Sequence, residues 1–96
     1  MGYVVAATWT AEEGKAGIVA DAITKLTPLS REEPGNRFYQ AYQNPQVPHV
    51  FHLFEIYDDE PAYQAHTESE HFKQYAFGQA IPVLKGRARS FYQTLD

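Results

Sequence analysis

The run Tyr3-Val-Val-Ala-Ala-Thr-Trp9 is rich in β-formers and apolar on both of its faces. Side chains alternate along a strand, so Tyr3, Val5, Ala7 and Trp9 share one face and Val4, Ala6 and Thr8 the other. A sheet built around such a strand needs cover on two sides. A chain of 96 residues is too short for two separate cores, which predicts a single domain over residues 1–96. One face is then covered by the chain's own helices and the other by a second copy of the chain.

Beyond Trp9, Thr10 and Glu13 have the T-x-x-E spacing of a capping box, which predicts a helix start. Ile18, Ala22, Leu26 and Leu29 recur at helical spacing and are expected to face the sheet. Gly14 and Gly17 each weaken a helix interior by about 1 kcal/mol relative to Ala, and Pro28 predicts a kink or restart after Thr27. Glu33-Pro34-Gly35-Asn36 is a turn signal. Alternation from Arg37 to Gln43 sets Tyr39 and Ala41 against Phe38, Gln40 and Tyr42, and the loop 44–48 leads to a strand from Val50 to Tyr57, closing an antiparallel hairpin.

A second helix is expected from about Asp59 to Ala80. Asp58, Asp59 and Glu60 suit its positive N-terminal end, and Pro61 suits its first turn. A bend is expected at Thr67 to Ser69, with Ser69 as a fresh N-cap. Pro82 ends the helix, Lys85-Gly86-Arg87 reads as a loop, and Ala88 to Thr94 as the last strand. The order is βαββαβ: an α+β, ferredoxin-like fold with a four-stranded antiparallel sheet and two helices on one face.

Composition excludes several functions. Twelve Asp and Glu against eight Lys and Arg give a net charge of −4, which opposes attraction to phosphate backbones, so no nucleic-acid partner is expected. The absence of cysteine excludes disulfides, thiolate metal sites and a cysteine nucleophile. No apolar run reaches membrane-spanning length, so no membrane partner is expected. MGYVVAATW lacks the form of a secretory signal, and Ala6 breaks the myristoylation pattern, so the expected location is cytoplasmic.

The stretch from Glu55 to Phe72, EIYDDEPAYQAHTESEHF, concentrates the candidate chemistry. Tyr63 and His66, three apart, share one side of a helix. An imidazole with an unperturbed pKa of about 6.5 accepts protons near neutrality, so His66 is a candidate general base. The plainer alternative is a hydrogen-bonded histidine at the helix–sheet boundary. Glu55 shares a strand face with Phe51, Leu53 and Tyr57, where a carboxylate needs a partner or a polar cavity. It is either a buried structural partner or a pocket acid. Asn36 and Tyr39 are candidates to hydrogen-bond a substrate oxygen, with a turn residue and a core phenol as the alternatives.

Spacing argues against a metal. His49 and His52 point to opposite faces of a strand. His66 and His71, five apart, are separated by about 140° on a continuous helix, and no third ligand matches them. His71 suits a cap-related or dimer-contact role. Lys85, Arg87 and Arg89 form a small basic group, suited to an anionic ligand or to a solvated loop. No phosphate-binding glycine loop, nucleophile motif or dinucleotide fingerprint occurs.

Taken together, REEPGNRFYQAYQNP and FHLFEIYDDEPAYQAHTESEHF resemble the antibiotic biosynthesis monooxygenase family of dimeric α+β barrel proteins. That family's pattern is a Glu-Pro-Gly turn, a Tyr strand, a Glu-x-Trp/Tyr strand end, and an Ala-His helix followed by Ser-Pro-His-Phe. Glu70 stands here where the family has Pro. The resemblance implies a homodimer with sheets packed face to face and a pocket between sheet and helices in each subunit. It implies oxidation of a small aromatic, quinone-like substrate, such as a quinol or anthrone, by oxygen without flavin, metal or haem.

On this resemblance His66 is the base or proton relay, and Glu55 stands as a second candidate catalytic residue. Asn36 and Tyr39 orient substrate oxygens, and Trp9, Phe51, Tyr57, Tyr63 and Phe72 shape the cavity. Haem-degrading relatives use an Asn, a Trp and a His where this chain has Ala7, His66 and Ala76, which disfavours haem. Isomerases of a phosphorylated ketose share the pattern, with His66, Glu55 and the Lys85–Arg89 group available to them. A non-catalytic dimeric binder of a small ligand is the third reading.

Overall fold

In a computed structural model describing residues 1–96, the two-faced first strand, β1 (Tyr3–Ala11), lies in the middle of the sheet. It pairs antiparallel with β3 (Val50–Tyr57) on one side and with β4 (Leu84–Gln93) on the other, and β2 (Asn36–Tyr42) completes the sheet beyond β3. The strand order β2-β3-β1-β4 and the βαββαβ connectivity make this a ferredoxin-like α+β fold. Helix α1 (Ala16–Arg31) links β1 to β2. Between β3 and β4 run α2 (Glu60–Thr67) and α3 (Phe72–Ala80), the latter a π-helix, then a 3₁₀ turn over Ile81–Val83. No helix is long and apolar enough to cross a membrane.

The core lies between the helices and one sheet face. Val19, Ala22, Ile23 and Leu26 of α1 pack with Trp9, Tyr39, Phe51 and Leu53, and Ala76 and Ala80 of α3 close the same cluster. Burying a side chain such as Leu26, which has no exposed surface, contributes about 1.5–3 kcal/mol. On the opposite sheet face Val4 is buried, while Phe38, Tyr42 and Tyr92 stand largely exposed. Register places them together: Phe38 opposes Ile56, Ile56 opposes Val4, and Val4 opposes Tyr92. Phe38 meets Phe54 edge-on at 5.9 Å, and Tyr42 stacks on His52 at 5.1 Å.

Five local expectations are corrected. Thr10 is not a helix cap: it pairs with Val50, Ala11 N–H donates to His49 O (2.8 Å), and Gly14 turns the chain at φ +78°. Pairing with two neighbours extends the strand past a signal that only local residues supply, and α1 begins without a side-chain cap. The buried stripe of α1 is Val19, Ala22, Ile23, Leu26 and Ser30, leaving Ile18 and Leu29 more than a third exposed. Pro28 sits in a helix that runs unbroken to Arg31, so the helix does not restart after Thr27. Lys85, Gly86 and Arg87 belong to β4 rather than to a loop, since β1 offers that edge a partner.

The fifth correction concerns the second helix. It breaks after Thr67, and the Ser69 hydroxyl accepts from Phe72 N–H (3.2 Å), as the expected fresh cap does. From Phe72 onward, however, the chain is π-helical rather than α-helical, closed at its end by Ile81 N–H donating to Ala76 O. Such wide turns arise from packing, and residue periodicity gives no sign of them.

Candidate active site

Two local devices place α2 over the sheet. The Asp59 carboxylate accepts from Ala62 N–H (3.0 Å) and Pro61 fills the first turn, so the helix starts directly after β3. Ala62 then rests against Gly35, where an added β-carbon would overlap its own. The turn Glu33–Asn36 is therefore pressed against α2, with Asp58 N–H donating to Gly35 O (2.9 Å) and Arg37 bonding Asp58 (2.7 Å).

Beneath α2 lies a cavity of about 260 Å³, near the small end of ligand sites. Val5, Ala7 and Trp9 form its sheet wall, Tyr39, Leu53 and Glu55 continue it, and Tyr63, His66 and Phe72 close it from the helices. Arg87 and Arg89 of β4 line one side. Arg89 Nη1 donates to Tyr63 Oη at 2.7 Å, and its guanidinium lies 5.5 Å from the Phe91 ring centre.

His66 is 1% exposed and Glu55 5% exposed, so both polar side chains need partners. Tyr57 Oη donates to Glu55 Oε1 at 2.6 Å. His66 Nε2 stands 3.8 Å from the same oxygen, beyond hydrogen-bond distance. On its other side His66 Nδ1 is 2.8 Å from Glu33 Oε2, and His71 Nε2 is 2.5 Å from that oxygen. Glu33 Oε1 is buried without a hydrogen-bond partner. Rings hold the imidazole in place: Phe72 edge-on at 5.0 Å, Tyr57 at 5.4 Å and Tyr63 stacked at 6.2 Å.

Burial dominates the proton affinities here. It pushes the Glu55 carboxyl up, with His66 and the Tyr57 hydrogen bond opposing. It also pushes up the phenols of Tyr39, Tyr57 and Tyr63; the Glu55 carboxylate adds to all three, while Arg89 opposes the third. These phenols therefore stay protonated near neutrality.

The fold brings His66, Glu55, Trp9, Tyr39, Tyr63 and Phe72 together at the cavity. Tyr57 lies behind Glu55, fully buried. Phe51 packs in the core and lines a separate groove with Ile23 and Tyr42. Asn36 is outside the cavity lining, its amide reaching Phe38 O at 3.4 Å. Of the basic group, Arg87 and Arg89 line the cavity and Lys85 does not.

Glu33, whose sequence context signals only a turn, bonds both His66 and His71. It also corrects the view that His66 and His71 have no third donor beside them, since one donor atom from each of the three lies within 4.8 Å of the others. Ligand atoms around a tetrahedral cation with bonds of about 2.0–2.1 Å stand about 3.3 Å apart. The two contacts to Glu33 Oε2 are shorter than that, as hydrogen bonds are. The available signal was the Pro-Gly pair immediately after Glu33, which fixes how the turn presents it.

A four-stranded antiparallel sheet with helices on one face and an aromatic cavity between them defines a class, the ferredoxin-like α+β proteins with a cavity between sheet and helices. The profile of the antibiotic biosynthesis monooxygenase family matches residues 2–76, and the chain belongs to that family. Among solved structures, PA3566 from Pseudomonas aeruginosa is similar with a TM-score of 0.90 at 26% identity, covering 99% of this chain and 95% of that one. Rv0793 from Mycobacterium tuberculosis gives 0.89 at 23% identity, covering 100% and 97%. SO0527 from Shewanella oneidensis gives 0.88 at 20% identity, covering 97% and 90%. A search of curated proteins gives no match.

Proposed function

We propose that this protein is a cytoplasmic homodimeric monooxygenase that oxidises a small aromatic substrate of the quinol or anthrone class with molecular oxygen and no bound cofactor. The observation that carries the reading is the buried His66–Glu55 pair at the wall of an aromatic cavity. Triplet oxygen reacts slowly with closed-shell molecules, so the protein's task is to make the substrate electron-rich. His66 Nε2 takes the proton of an O–H or activated C–H bond, whose electron pair stays on the substrate. The resulting anion passes one electron to oxygen, and the two radicals combine. In an anthrone the ring CH₂ becomes C=O, and the second oxygen atom leaves as water.

Tyr39, Tyr63 and Arg89 supply hydrogen-bond donors and positive charge beside the developing anion. The aromatic walls keep water from the intermediate. The modest cavity favours a compact planar ring system. Pairing of two chains through the exposed aromatic sheet face accounts for Phe38, Tyr42 and Tyr92.

The deciding experiment is oxygen uptake by purified, metal-free protein with a panel of hydroquinones and anthrones, wild type against His66→Ala. Substrate-dependent uptake that falls about 10²-fold or more in the variant is expected. Absence of enzyme-dependent uptake across the panel would sink the reading. A second reading, isomerisation of a phosphorylated ketose, is favoured by Arg87 and Arg89 at the cavity, which suit a phosphate. It predicts proton exchange at the carbon beside the ketose carbonyl without oxygen uptake, and a pure binder predicts neither.

A further inference from the structure

Three segments distant in sequence converge on one oxygen atom. Glu33 comes from the turn after α1, His66 from α2 and His71 from the start of the helical segment leading into α3, and both ring nitrogens meet Glu33 Oε2. A carboxylate only accepts hydrogen bonds, so the nitrogens facing it must carry their protons. For a neutral His66 this leaves a single arrangement: hydrogen on Nδ1, lone pair on Nε2.

We propose, on the reading of His66 as proton acceptor, that Glu33 is the positioning residue of this site: it fixes the His66 tautomer that turns a basic Nε2 toward the cavity, and His71 holds Glu33 in place. Nε2 is the nitrogen on the Glu55 side, and its 3.8 Å separation from Glu55 Oε1 leaves it without a bond of its own. A substrate O–H can therefore enter and donate to it. With Glu33 absent the remaining carboxylate beside the ring is Glu55, on the Nε2 side, which favours hydrogen on Nε2, and that tautomer has no lone pair there to offer.

His71 completes the arrangement. Glu33 Oε1 has no partner, so both N–H donors hold the carboxylate by Oε2 alone. His71 is 19% exposed and Glu33 13%, against 1% for His66, so the second donor stands between the buried pair and solvent. The titratable groups facing the His66 ring are Glu33, Glu55, Tyr39, Tyr57, Tyr63 and His71. Arg89 reaches it only through Tyr63. The three phenols are held neutral by burial, which leaves Glu33, Glu55 and His71 as the groups whose charge bears on His66 directly.

The test is nitrogen NMR of histidine-labelled protein without substrate, above the pH at which the imidazoles lose their second proton, together with oxygen-uptake kinetics. Wild-type His66 is expected to carry hydrogen on Nδ1. Glu33→Ala should move the tautomer population toward hydrogen on Nε2 and lower kcat about 10²-fold with KM nearly unchanged. Glu33→Gln, whose carbonyl still accepts from Nδ1, should restore the tautomer and most of kcat. Hydrogen on Nε2 in the wild type would overturn the proposal, and so would equal losses in the Gln and Ala variants. The tautomer is read without turnover, so absent oxygen uptake counts against the monooxygenase reading alone.

Discussion

Tyr57 and Glu55, two residues apart on β3, point to the same side of the sheet and share a hydrogen bond of 2.6 Å, phenol to carboxylate. Burial raises the Glu55 pKa, so between its unfolded value of about 4.3 and its folded value the native state binds more protons than the unfolded one. Stability from this group is present below the unfolded pKa and is lost as pH rises through the folded one. Wild type is therefore expected to lose stability relative to Glu55→Gln as pH increases across that window. Urea unfolding of both proteins over a pH series measures it. A relative gain for wild type would contradict the account of burial.

Gly35→Ala tests the seam between the turn and α2. The added methyl group meets the Ala62 side chain, so the turn or the helix start must shift to admit it. Overpacking of this kind destabilises by about 1–3 kcal/mol. Thermal unfolding should show a lower Tm, and Gly35→Ala combined with Ala62→Gly should recover much of it. An unchanged Tm in the single variant would mean the seam opens freely.

Phe38→Asp with Tyr92→Asp tests the outer sheet face. Both side chains are largely exposed in the single chain, so the fold itself should tolerate the change. In the proposed dimer, two charges on this face would be desolvated, and dimers should dissociate. Light scattering on a sizing column is expected to give a dimer for wild type and a monomer for the double variant. A monomeric wild type would remove the homodimer.

Alternation made β3 legible to the residue, because its side chains are in turn half-buried and buried from Val50 to Tyr57. The Tyr63–His66 face of α2 was equally plain, since a three-residue spacing and an acidic, proline-marked start are local features. Distant partners set the features that escaped. Thr10 carries a helix signal yet lies in a strand because Val50 is opposite it. Arg87 looks like loop and instead lines the cavity because β4 pairs with β1 through Trp9. Glu33 acquires its role only when His66 and His71, 33 and 38 residues away, fold onto it.

Those separations have a kinetic meaning. The bonds to Glu33 close two loops at once, and loop closure must precede any stabilisation by the contacts it permits. The His66 geometry thus cannot be assembled piecemeal from its own helix, and a local opening at the junction of α2 and α3 breaks both bonds together. Hydrogen exchange at that junction should consequently report on the integrity of the two contacts to Glu33.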